Sequence, residues 1–101
     1  MIVEYIRYRV PSERCAEFER AYGLAGEPLL ASSHCLAYEL TRSAEDRTYY
    51  VLRIEWDSAE GHLQGFRGSA DFRAFIRHIQ PFVSHIEEMR HYESVGVQNR
   101  K

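Results

Sequence analysis

The run from Tyr49 to Ser69, YYVLRIEWDSAEGHLQGFRGS, constrains the fold more than any other part of the chain. Its first half alternates, with Tyr50, Leu52, Ile54 and Trp56 on one face and Tyr49, Val51, Arg53 and Glu55 on the other. A period of two is the mark of a pleated strand with one side against a core. Asp57 or Ser58 then offers an N-cap, and Glu60 follows Asp57 at capping-box spacing. The spacing predicts a short helical turn that carries His62 just past the strand end. Trp56 and His62 are then expected to meet at the mouth of whatever the apolar face covers.

The other segments fit around that strand. Residues 2–10, IVEYIRYRV, place Ile2, Ile6, Tyr8 and Val10 on one face and Val3, Tyr5, Arg7 and Arg9 on the other, with Glu4 breaking the apolar side. Ser12 reads as the N-cap of a helix whose stripe is Cys15, Phe18, Tyr22 and Ala25, reaching Leu29 if the helix resumes past Pro28. Gly23 and Gly26 predict fraying between Tyr22 and Pro28. A second strand over His34–Arg42 puts His34, Leu36, Tyr38 and Leu40 on one face, and the polar stretch Ser43–Asp46 predicts a hairpin into the next strand. Ser69 caps a helix with the stripe Phe72, Phe75, Ile76 and Ile79, closed near Pro81 with one further turn. Ile86–Glu93 reads as an edge strand, and residues 95–101 as a flexible tail after a domain over 1–94.

The element order βαββαβ is that of an α+β, ferredoxin-like plait, with a four-stranded antiparallel sheet and two helices on one face. The second sheet face then carries Val3, Tyr5, Ala37, Tyr49 and Val51, which is apolar enough to predict a homodimer through the sheet faces. A net charge of −2 supplies no field for nucleic acid or anionic lipid, and no apolar run is long enough to span a membrane. Cys15 and Cys35 form no CxxC pair, and the N-terminus enters a strand with no leader pattern. Two reduced thiols in a cytoplasmic protein is the expectation. His78, His85 and His91 have no ligand spacing with acids, and the five histidines form no compact cluster in the sequence, so no metal site is expected.

The run IEWDSAEGHLQGFRGSADFRAF, with the preceding hairpin CLAYELTRSAEDRTYYVLRIEW, resembles the signature of the antibiotic biosynthesis monooxygenase (ABM) family. The resemblance spans about residues 2 to 93 and implies a dimeric α+β barrel. It rests most on Glu55-Trp56, His62 and Ser69-x-x-Phe72. In the usual pattern Ser follows His after three residues, whereas here Ser69 stands seven beyond His62. The first strand also lacks an Asn, the only one being Asn99, which speaks against the haem-degrading branch.

The family implies chemistry without metal or flavin: a deprotonated phenol- or quinol-like substrate delivers electrons to O2 in a dry pocket. His62 suits the base and Trp56 a donor and stacking surface. Tyr38, Tyr50, Phe66, Phe72 and Phe75 are expected to contact the small aromatic ligand, with Arg67, Arg73 or Arg77 at the rim and Arg73 as the chosen anion contact. Each residue has a plainer reading. Trp56 serves as a core plug, His62 as a solvated side chain, the tyrosines as core or interface, and the arginines as a solvated face. A non-catalytic small-ligand binding or accessory module of the same fold is the alternative.

Overall fold

The computed structural model describes residues Met1–Lys101. Strand β1 (Ile2–Arg9) ends where Pro11 fixes an extended backbone. A single 3-10 turn, Ser12–Arg14, leads into helix α1 (Cys15–Ala31). Strands β2 (Cys35–Arg42) and β3 (Tyr49–Trp56) form the hairpin. A π-helical turn (Gly61–Phe66), helix α2 (Ala70–Ile79) and a 3-10 segment (Gln80–His85) then lead to strand β4 (Ile86–Glu93). The sheet order is β2-β3-β1-β4, and every ladder is antiparallel. This is the ferredoxin-like α+β fold, with β3 between the parallel-running β1 and β2 and both helices covering one sheet face. Past Glu93 no strand or helix forms. Gln98, Asn99 and Arg100 lie beside Glu39, Arg53 and Glu55 on the opposite face.

The strand alternation places Tyr8, Tyr50, Leu52, Ile54 and Trp56 in the core, all essentially without solvent contact. Phe18 of α1 is the hub of that core. Its ring packs 4.8 Å from Tyr8 and Tyr50 and 5.2 Å from Tyr22 and Phe82, in tilted or edge-to-face arrangements. The hydroxyls of Tyr8 and Tyr22 hydrogen-bond to each other, so neither polar end is left unpaired in the interior.

Three local expectations are corrected. Ser12 makes no capping hydrogen bond, and α1 starts only after the 3-10 turn. The helix does not fray between Tyr22 and Pro28 but runs unbroken to Ala31 with Pro28 inside it. Packing overrides propensity here, because a Cβ on Gly26 would fall 1.9 Å from the Tyr38 hydroxyl, so the glycine is what lets α1 sit on β2. The third correction concerns β2. Its register against β3 shifts between Cys35 and Ala37, so Cys35 is buried opposite Trp56 while Leu36 is 54% exposed. One extra residue in a ladder moves a side chain to the other face, and the stripe His34, Leu36, Tyr38, Leu40 is therefore broken.

The outer sheet face is also less apolar than expected. Arg53 pairs with Glu55 at 2.5 Å and Arg7 with Glu88 at 3.4 Å among the valines and tyrosines. No helix is long and apolar enough to cross a membrane.

Because four rings meet Phe18, its truncation to alanine leaves a void that the sheet cannot close. Phe18→Ala is expected to cost about 3–5 kcal/mol in urea-induced unfolding. A loss below about 1 kcal/mol, the scale of a mere methylene deletion, would contradict its role as the hub.

Candidate active site

Glu4 is the one acid on the core-facing parity of β1, and it is 2% exposed. An isolated buried carboxylate is costly unless it is paired or protonated. Trp56, diagonally across the β1–β3 ladder, donates its indole N–H to Glu4 Oε1 at 3.1 Å. His91, directly opposite Glu4 in β4, brings Nε2 to 3.3 Å from Oε2. His62 Nε2 lies 3.6 Å from Oε1, and its ring stacks on Trp56 with 4.3 Å between centroids.

The sequence folds locally to hold His62 there. Ser58 Oγ accepts the Gly61 N–H at 2.9 Å and starts the turn, so Ser58 rather than Asp57 is the cap. Asp57 accepts a bond from His34 Nδ1 at 2.9 Å. The His34 ring lies against the turn at Gly61 and Gly65, where a Cβ would come within 2.7 Å and 2.4 Å of its nitrogens. The helix then widens, with the Arg67 N–H bonding the His62 carbonyl at 3.2 Å in a five-residue step. Ser69 Oγ accepts from the Phe72 N–H and begins α2, as its position predicts.

Above Glu4, Trp56 and His62 lies a cavity of about 220 Å³. Its walls are otherwise almost wholly apolar: Phe66, Phe72, Phe75, Ile76 and Ile79 from the helical side, Ile6 and Ile54 from the sheet, and Met89 from β4, with Arg67 the one basic side chain. The chain's own residues therefore leave an apolar chamber, with the indole and imidazole in mutual contact.

Of the residues singled out from sequence, His62, Trp56, Phe66, Phe72 and Phe75 come together on this cavity. Tyr38, Tyr50 and Arg73 do not. Tyr38 and Tyr50 line a separate recess between α1 and β2, where the Tyr50 hydroxyl donates to Glu19 and Arg42 reaches the same carboxylate at 3.4 Å. Arg73 is exposed on α2, and the arginine at the cavity is Arg67. Position along a helix decides this, since Arg73 follows the lining residue Phe72 by one step, about 100° around the axis. Glu4 and His91 were missed. The signal for Glu4 was its parity, because an acid among Ile2, Ile6 and Tyr8 needs a buried partner. His91 carries no such signal; only the β1–β4 register brings it in. The expectation that the histidines form no cluster is thereby corrected, with His62 and His91 meeting at Glu4.

Burial sets the electrostatics. It pushes the Glu4 carboxyl above its ordinary range, against the Trp56 hydrogen bond and the nearby His91 and Arg67, which pull it down. Burial likewise depresses His62 from 6.5 to about 4, helped by the positive charges of Arg67 and His91. Both groups are thus driven toward their neutral forms. His62 is 3% exposed, and neither ring nitrogen has a hydrogen-bond partner.

The family profile of antibiotic biosynthesis monooxygenases matches residues 1–78. The chain belongs to that family. Among solved ABM structures, one from Bordetella bronchiseptica described as a putative antibiotic biosynthesis monooxygenase is 27% identical and superposes with a TM-score of 0.75 over 93% of this chain and 96% of that one. SnoaB, a cofactor-independent oxygenase from Streptomyces nogalater, shares the fold at a TM-score of 0.81 over 98% of this chain and 97% of its own, with 14% identity. The uncharacterized protein YczJ of Bacillus subtilis is 27% identical over 79 residues, 78% of this chain and 83% of its own length. The ABM match contains Glu4, Trp56 and His62, and it ends before the strand that carries His91.

The depressed His62 value has a thermodynamic consequence. Between pH 6.5 and 4 the unfolded chain holds a proton on this residue that the fold excludes. Its contribution to stability is fully present above 6.5 and is lost as pH falls toward 4. Urea unfolding at pH 7 and pH 4.5 is expected to show a smaller acid-induced loss for His62→Gln than for the wild type. Equal losses in the two proteins would contradict the burial argument.

Proposed function

We propose that the protein is a monooxygenase that inserts one atom of O2 into a small hydroxylated aromatic compound. The observation that carries this reading is the buried Glu4–Trp56–His62 constellation on the floor of an apolar cavity, in a chain of the ABM family. A cavity of about 150 Å³ takes a benzene-sized molecule, so about 220 Å³ suits one ring or two fused rings.

The reaction balances with electrons from the substrate alone. A ring or benzylic CH2 equivalent plus O2 gives a carbonyl plus water, one oxygen atom entering the substrate and the other leaving as water. The protein must remove the phenolic proton, keep water away from the carbanion-like intermediate, and steady the developing anion. Glu4 in its ionised form, which the Trp56 hydrogen bond and the nearby His91 and Arg67 favour, is the better base of the two candidates, because burial raises its pKa toward that of a phenol while the pKa of His62 moves away. That reverses the role expected from sequence. His62, neutral and with both nitrogens free, then supplies a hydrogen bond to the bound oxygen, and Arg67 sits where an anion at the cavity wall is stabilised.

We further propose that two copies associate through the outer sheet faces, leaving the helices and cavities outward. Val51 and the edge-to-face pair Tyr5–Tyr92 form the apolar part of that surface, and the charged Arg53 and Glu55 border it.

Two measurements test these readings. Oxygen uptake with a panel of anthrones, naphthols and hydroquinones, in the presence of a chelator, is expected to show turnover. Glu4→Gln is expected to lower kcat by about 10²–10⁴-fold with a smaller change in KM. Turnover indifferent to that substitution sinks the acid–base assignment, and ligand-induced thermal stabilisation without any product leaves only a binding module. For the assembly, sedimentation at micromolar concentration should give twice the 11.9 kDa chain mass, with Val51→Arg shifting it to monomer. A wild-type monomer would overturn the dimer.

A further inference from the structure

We infer that Glu4, His62 and His91 form a binding site for one divalent first-row transition-metal ion, with coordination positions open to the apolar cavity. The inference stands apart from the oxygenase reading and does not depend on it. Its basis is geometric. One ligand atom from each of the three side chains lies within 4.8 Å of the others. Imidazole and carboxylate ligands bind such ions at about 2.0–2.2 Å, which separates two ligands on a tetrahedral centre by about 3.4 Å. Glu4 Oε1 stands 3.6 Å from His62 Nε2, and its other oxygen, Oε2, stands 3.3 Å from His91 Nε2. To close on one ion, the three ligand atoms, which lie within 4.8 Å of one another, draw together to about 3.4 Å.

A second observation points to a ligand. His62 is 3% exposed and lines the cavity, yet both of its nitrogens lack a hydrogen-bond partner. A buried imidazole kept only for packing would be bonded, because an orphaned polar atom in the interior costs free energy. An ion on Nε2 removes that cost at one of the two nitrogens. The outer shell is partly built as well, since the Trp56 N–H holds Glu4 Oε1 at 3.1 Å and fixes the carboxylate plane.

Two imidazoles and one carboxylate select zinc, cobalt, iron or nickel over calcium and magnesium, which need an all-oxygen shell. Three protein ligands leave at least one position for water or for a substrate oxygen. Arg67 on the cavity wall opposes a bare cation and favours an anionic oxygen in that position, hydroxide or a phenolate. Metal on this triad occupies the Glu4 lone pair that the proposed proton transfer uses and the His62 nitrogen that would otherwise face the bound oxygen. The occupied and empty forms therefore offer the same cavity two different chemistries.

The test uses the full chain, stripped with chelator and without any aromatic substrate. Titration with Co2+, followed by visible ligand-field absorption, and with Zn2+, followed calorimetrically, is expected to saturate at one ion per chain. His91→Ala, on a half-exposed edge-strand side chain, should fold normally by circular dichroism and weaken binding at least tenfold. His62→Gln should do the same, while His78→Ala, outside the cluster, should bind as the wild type does. No saturable binding, or binding that survives both His91→Ala and His62→Gln, overturns the site. Because the readout is absorption and heat, a failure here is separable from an absence of oxygen uptake.

Discussion

The hydrogen bond from the Trp56 indole to the Glu4 carboxylate ties the two central strands to the chemistry of the cavity. A carboxylate with almost no solvent contact on the middle strand of a sheet would by itself oppose folding. The indole proton offsets part of that cost, and the facing imidazoles of His62 and His91 supply most of the remaining polar surroundings. Trp56 in turn is fixed because it stands opposite both Ile2 and Cys35, at the shared end of two ladders. The stacked His62 ring covers the indole. Remove the acid, and the reasons for an indole N–H pointing at β1 and for two histidines converging there disappear together.

The helical face of the sheet is divided between solidity and emptiness. Toward α1, the rings of Phe18, Tyr8, Tyr22, Tyr50 and Phe82 interlock. Toward α2, Phe66 meets Phe72 and Phe75 edge-on, but the rings leave the cavity open above Glu4. Tyr22 and Phe75, 6.1 Å apart, join the two regions. The dense cluster supplies burial that a small domain needs, and so permits an unfilled volume on the other side.

The π-helical turn is the device that sets the imidazole's position. Its wider step, the Ser58 cap, and the His34 ring pressed on Gly61 and Gly65 hold the turn from three sides. The lengthened His62-to-Ser69 interval is accommodated by this widening, with Ser69 still free to cap α2. Burial then does the electrostatic work, moving Glu4 up and His62 down. The acid whose pKa burial raises is the residue that reads as an interruption in a strand.

Local pattern alone determined the element order, the hairpin, the Ser69 cap and the apolar stripe of α2. Each of those depends on neighbours a few residues away: alternation in β3, a serine three positions before a backbone N–H, spacings of three and four in α2. The pairing of Trp56 with His62 was legible for the same reason, since a strand end and the following turn are contiguous in the chain. What only the tertiary structure decided is set by register. The bulge at Cys35 to Ala37 turned Leu36 outward, and Gly26 received Tyr38 rather than breaking α1. The β1–β4 ladder placed His91 opposite Glu4, although they are far apart in sequence. Strand pairing obeys the burial of whole faces, not the identity of any one residue, so the meeting of an acid with two distant histidines has no signature that a one-dimensional pattern can carry.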